Sequence, residues 1–132
     1  MANTMQFDLV SPERRLASLE AREVRLPASE GEMTTMPDHA PVIATLRPGV
    51  VTVTGADGGT SSFAVTGGFA EITPEGASVL AERAYPATAE NRSAIEAVLA
   101  EARKQAESAE PEHKDAAQLI VDDLAQLVGD MA

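Results

Sequence analysis

Cysteine and tryptophan are absent from this chain, and its only aromatic side chains are one Tyr and three Phe. Without thiols there is no disulfide framework and no thiolate chemistry, and a reducing compartment is expected. Without large rings, the core must be assembled from Val, Leu, Ile and Ala. Positive charge is scarce as well: 10 Lys and Arg stand against 21 Asp and Glu, a net charge of −11. Nucleic-acid phosphates demand basic patches, so a nucleic-acid partner is not expected. Direct attachment to an anionic membrane surface is disfavoured on the same ground. No apolar run approaches the roughly 20 residues of a spanning helix, so direct membrane insertion is not expected either. The opening segment, Met1-Ala-Asn-Thr-Met-Gln6, lacks a basic region followed by an apolar one, which argues against a secretory signal. The expectation is a soluble, acidic, intracellular protein. Its 132 residues allow one ordinary domain, or a small domain with an appendage.

What is present changes character near Tyr85-Pro86. Eight of the nine Gly lie before that point, and seven of the eight Pro lie up to and including it. Beyond it come Ala- and Glu-rich stretches. Gly and Pro punctuate short strands, whereas Ala and Glu favour helix. The expected architecture is mostly β plus α: an antiparallel β-sandwich or flattened barrel over residues 1–86, then an antiparallel helical hairpin over residues 87–132. Period-two alternation supports the first part. Met5, Phe7 and Leu9 share one face of a strand; Val24 and Leu26, Val51 and Val53, and Phe63 and Val65 do the same. Phe69-Ala-Glu-Ile72 and Ala77-Ser-Val-Leu80 supply two more strands. Asp57-Gly58 is a strong hairpin signal, with further turns at Pro74-Glu-Gly76 and Pro48-Gly49. In the tail, Ile95, Val98, Leu99, Ala102 and Ala106 form one helical stripe. Ala116, Leu119, Ile120, Leu124, Leu127 and Val128 form a second. Pro111 suits the first turn of the second helix, and Gly129 is its expected stop. From Ala87 onward four basic residues face ten acidic ones, leaving the tail at −6.

Catalytic material is sparse. Two His and no Cys are available, and no phosphate-cradling or dinucleotide-binding Gly motif occurs. Gly55 to Gly59 and Gly67-Gly68 fall between strand patterns, where turns and close backbone approach explain them. The densest polar cluster runs from Glu30 to His39. Its Glu30, Glu32, Asp38 and His39 would suit a small metal-assisted hydrolase if they converged. The competing reading is a surface loop with a structural His. Another class again is a generic adaptor whose hairpin binds a partner helix.

Several segments, in order, resemble the ε-subunit family of F-type ATP synthases, whose mitochondrial counterpart is called δ. They are Ser11-Pro12-Glu13, Glu30-Gly31-Glu32, His39-Ala40-Pro41, Leu46-Arg-Pro-Gly49, Gly67-Gly68-Phe69 with Glu71, and Val79-Leu80-Ala81. The matches span about residues 5 to 84. The resemblance implies a β-sandwich followed by a helical hairpin, no catalytic residues and no cofactor or metal. It implies a central-stalk rotor subunit that braces the γ subunit on the membrane c-ring. Glu30, Gly31, Glu32 and Met33 would face the polar loops of the c-ring. His39, Ala40 and Pro41 would lie at or near the γ and c-ring contacts, and Met33 and Met36 could add adaptable apolar contact. The catalytic β subunit would be a further partner through the tail. The implied location is the cytoplasmic face of a bacterial inner membrane. Some relatives bind ATP through Ile/Leu-Asp-x-x-Arg-Ala at the start of the first helix. Here the aligned residues are Thr88-Ala89-Glu90-Asn91-Arg92-Ser93, so Arg92 is the only remnant and nucleotide binding is not expected. Relatives that brake ATP hydrolysis place basic tail residues against an acidic segment of β. An acidic tail opposes that contact, so a weak brake at most is expected.

Overall fold

In a computed structural model describing residues 3–131, the chain forms nine strands and then two helices. The strands are β1 (Met5–Val10), β2 (Arg15–Ala28), β3 (Gly31–Thr35), β4 (Val42–Leu46), β5 (Gly49–Gly55), β6 (Thr60–Val65), β7 (Gly68–Thr73), β8 (Gly76–Ala81) and β9 (Ala84–Pro86). The helices are α1 (Arg92–Ser108) and α2 (Lys114–Asp130). Hydrogen-bonded neighbours run in the order β1-β8-β7-β4-β2-β5-β6-β9, with β3 beside β2 and a further pairing of β1 with β2. The sheet thus folds over as a flattened sandwich. Its pairings are antiparallel except one: β1 runs parallel to β8. That pair is non-local, and the period of the side chains carries no information about it.

Strand β2 links the two layers. Its first half pairs with β1, while its second half pairs with β5 on one edge and β3 on the other. A register shift between Ala21 and Glu23 lets it bend from one layer into the other. In β1, β2, β5 and β8 alternation points one apolar parity inward. Phe7, Leu9, Val24, Leu26, Val51, Val53 and Val79 are fully buried in one shared core. The turns form where Gly and Asp indicate. In the β5–β6 hairpin the Gly59 amide donates to Asp57 Oδ1 at 2.9 Å, and Gly58 takes a φ of 88°. Between β6 and β7, Gly67 and Gly68 both have strongly positive φ, and a side-chain carbon on Gly68 would run into the carbonyl oxygen of Leu80. Pro48-Gly49 carries the chain from one layer to the other, since β4 and β5 do not pair with each other. Strand β9 was not expected, because the three residues Ala84–Pro86 are too few to show a period. It makes β8, with Val79-Leu80-Ala81, the penultimate strand.

The helices pair as a hairpin and lie on the outer face of the β5–β6–β9 layer. Val50, Ala64 and Tyr85 are aligned across those strands and form the seat. Ile95 and Leu99 from α1 pack there with Val121, Leu124, Leu127 and Val128 from α2. A 3-10 turn beginning at Pro111 leads into α2, as the ring's fixed φ and missing N–H favour. Two expectations for α2 fail. Ala116, Leu119 and Ile120 are exposed, and Val121 takes the inward position instead. The inward residues are Val121, Leu124, Leu127 and Val128, with Ala117 half-buried a turn earlier, because the C-terminal half of the helix is the part that meets the seat. Gly129 does not stop the helix, which continues to Asp130. Met131, 1 % exposed, pins the end into the cluster and offsets the glycine's cost.

Candidate partner-binding surface

Glu30, Gly31, Glu32 and Met33 occupy the tip and first residues of the β2–β3 hairpin. Gly31 turns the chain with a φ of 134°, with open space around it. Glu30, Gly31 and Glu32 are exposed, whereas Met33 is half-buried and packs against the sandwich core. Glu32 lies 3.6 Å from Arg25 across the strand pair. Both groups are exposed, so the pair contributes little to stability. The tip is tied down by its backbone: Ser29 N donates to Thr45 O at 2.8 Å. It is an acidic projection anchored at Ser29, with Met33 as its apolar root.

His39, Ala40 and Pro41 lie past the other end of β3, in the loop leading to β4. Asp38 takes a left-handed φ of 69°, which Asp tolerates better than most residues. The loop is anchored to the β7–β8 turn, where Asp38 N donates to Pro74 O at 2.9 Å. The His39 ring Nδ1 sits 2.7 Å from Ala40 O, the carbonyl of the next residue. Ala40 and Pro41 are exposed, and Met36 nearby is 54 % exposed. Four residue steps along β3 separate the two groups by roughly 13 Å. Glu30 and Glu32 therefore do not converge with Asp38 and His39. Among the described residues no group of three or more His, Asp or Glu is placed to hold a metal ion. The metal-assisted hydrolase reading lacks the geometry it needs. Arg92 begins α1 half-buried, with its Nε unpaired among the described groups.

Two features of the surface were missed in the sequence. The first is apolar. Phe69 on β7 pairs with Leu80 on β8, which pairs with Val10 on β1. All three point away from the core, and Phe69 and Leu80 are 55 % and 58 % exposed. Ile43 on β4 shares this face at 70 % exposure. The signal was present: these residues occupy the outward parity of strands whose inward parity is Ala70, Ile72, Ala77 and Val79. Beside them, the exposed Leu119 and Ile120 of α2 form the opposite wall of a groove of about 880 Å³. Large apolar side chains clustered on one surface are the usual mark of a protein partner. The second feature is a paired ion bridge, Arg47 to Asp123, joining the β4–β5 corner to α2. Hydrogen bonding to Asp123, and then its charge, hold the Arg47 proton more tightly than usual.

The sandwich that carries these features matches a known family. Residues 4–87 match the model of the ATP synthase delta/epsilon chain β-sandwich domain. The ATP synthase epsilon chain of Rhodobacter capsulatus is 57 % identical over 128 residues, covering 96 % of each chain. That of Paracoccus denitrificans is 50 % identical over 131 residues, covering 99 % of this chain and 88 % of the relative. A mitochondrial ATP synthase structure from Euglena gracilis, comprising OSCP, F1 and c-ring, contains a chain of the same fold, with a TM-score of 0.76 at 18 % identity. The match covers 100 % of this chain and 84 % of that one. With this sandwich, hairpin and full-length identity, the chain belongs to the ATP synthase delta/epsilon family.

Proposed function

We propose that this chain is the bracket of a rotary ATP synthase, a non-catalytic central-stalk subunit that fixes γ to the c-ring. Proton flow turns the ring, γ carries the rotation to distant catalytic sites, and the bracket keeps the two from slipping. Residues 1–86 act as the rotor-binding domain and residues 87–132 as the hairpin domain. Glu30, Gly31, Glu32 and Met33 present the acidic tip to the polar loops of the ring. His39, Ala40 and Pro41 sit at or near the γ and ring contacts. The complex places the chain at a membrane, on the cytoplasmic face of a bacterial inner membrane, held there by protein contacts.

The observation that carries this reading is the outer face formed by Phe69, Leu80 and Ile43. These three large apolar side chains are more than half exposed on a rigid sheet. A coupling element needs such a surface, because torque passes only through a contact that does not yield. An interface of standard size, about 1,600 Å² in total, is required, and γ is its assigned occupant. The test is co-purification of γ with Phe69→Asp/Leu80→Asp, followed by proton pumping driven by ATP in inverted vesicles. Loss of γ from a chain that keeps its circular dichroism and melting temperature is expected. Retained γ binding with undiminished pumping overturns the reading. Glu32→Lys and His39→Ala, assayed the same way, are expected to lower pumping while γ stays bound.

A further inference from the structure

The hairpin's seat on the sandwich is apolar and nearly featureless. Val50, Ala64 and Tyr85 meet aliphatic side chains, and such contact is non-directional: it holds a helix down without choosing where along the sheet it lies. Each helix has 17 residues, and most of the stability of such a helix comes from packing its apolar face. One contact does have direction. Arg47 Nε donates to Asp123 Oδ2 at 3.0 Å, and Nη2 donates to Oδ1, so both carboxylate oxygens meet the planar fork. The donor sits on a fixed corner, since Arg47 N itself donates to Pro27 O at 2.9 Å and Pro48 follows. The acceptor lies in the inward half of α2, with its side chain only 12 % exposed. Among the described residues, the one other side-chain hydrogen bond from the hairpin to a strand is Asn91 Nδ2 donating to Pro86 O at 3.0 Å, just before α1 and only five residues apart in the chain, so it ties down the entry and leaves α2 free. The remaining ion pairs, Arg25–Glu32 and Glu112–His113, are exposed and local.

We propose that Arg47 and Asp123 form a latch that fixes the register of the hairpin on the sandwich. Apolar burial supplies the attraction and the paired bridge selects the position, a division of labour for which partly buried polar contacts are suited. Because Arg47, Asp123 and Leu124 also line the groove between Phe69, Leu80, Leu119 and Ile120, the latch sets the width of that groove. The latch lies wholly within this chain, whichever partner fills the groove.

Amide hydrogen exchange on the full chain tests it, with Arg47→Met, Asp123→Asn and the double variant compared against the parent. Asp123→Asn preserves shape and helix length, so it reports on the charge and the fork rather than on folding. Each single variant is expected to speed exchange of the α2 amides by about fivefold, leaving the β5–β6 amides unchanged. The double variant is expected to exchange no faster than the worse single one, because both substitutions remove one interaction. Parent-like exchange in the single variants overturns the proposal. So does equal acceleration in sandwich and helices, or a double variant whose effect is the product of the two.

Discussion

At Gly68 the backbone passes so close to β8 that no side chain fits, and its φ of 141° would strain one even in open space. Gly68→Ala is therefore expected to destabilise the chain by about 2–4 kcal/mol, read as a lower urea midpoint at unchanged slope. Asp38 offers a contrast. Its left-handed φ is its contribution, and its carboxylate meets no ligand cluster. Asp38→Gly is expected to leave stability within about 0.5 kcal/mol of the parent, whereas Asp38→Val, β-branched at positive φ, should cost about 1–2 kcal/mol. A loss on Asp38→Gly as large as on Asp38→Val would show that the carboxylate has a role of its own. The sequence shows why Asp38 and His39 looked like metal ligands: nearness along the chain suggests nearness in space. A strand between two carboxylate groups defeats that inference, because an extended chain spends its residues on distance.

The two helices show how far a hydrophobic period reaches. For α1, the stripe containing Ile95 and Leu99 is the buried one, as their spacing indicates. For α2, apolar residues occur on more than one face, and spacing alone cannot say which meets the seat. Leu124 and Leu119 have the same side chain and opposite surroundings, 1 % and 52 % exposed. Leu124→Ala is expected to cost about 2–4 kcal/mol through the cavity it leaves. Leu119→Ala is expected to change the isolated chain by about 0.5 kcal/mol or less. Thermal unfolding of both variants separates them, and similar losses would mean that Leu119 also faces inward. The strands were legible for the same reason as α1: period two names the buried parity wherever one face is wet. Their pairing was not legible. The parallel β1–β8 contact, the dual role of β2 and the short β9 depend on residues far apart in the chain, and no local pattern encodes them. The Arg47–Asp123 bridge, 76 positions apart, escaped for that reason too. Across the neutral pH range it is insensitive to the Arg47 proton. Raised above its ordinary value, that group supplies its full stabilisation below the unfolded-state value and loses it only as pH climbs through the higher, folded-state one.

As a whole, the molecule is acidic in both parts, and what distinguishes their surfaces is the apolar face of the sandwich. The sandwich offers an apolar outer face, while the hairpin exposes an acidic one, with ten Asp and Glu against four Arg and Lys from Ala87 onward. A brake must leave its seat, reach the catalytic subunits and be held there by attraction. This hairpin meets the first and last of those conditions poorly: its apolar stripe is already covered by Val50, Ala64 and Tyr85, and its net charge of −6 is repelled by any acidic target. Removing residues 88–132 from the assembled complex should therefore raise ATP hydrolysis by less than about twofold, a barrier change under about 0.4 kcal/mol. The same deletion uncovers the seat, so the shortened chain should melt at lower temperature and associate with itself more readily than the parent. A several-fold rise in hydrolysis on deletion would mean that the hairpin does leave its seat and act on the catalytic sites. In that case low ionic strength should weaken its inhibition, because repulsion between like charges grows as screening falls.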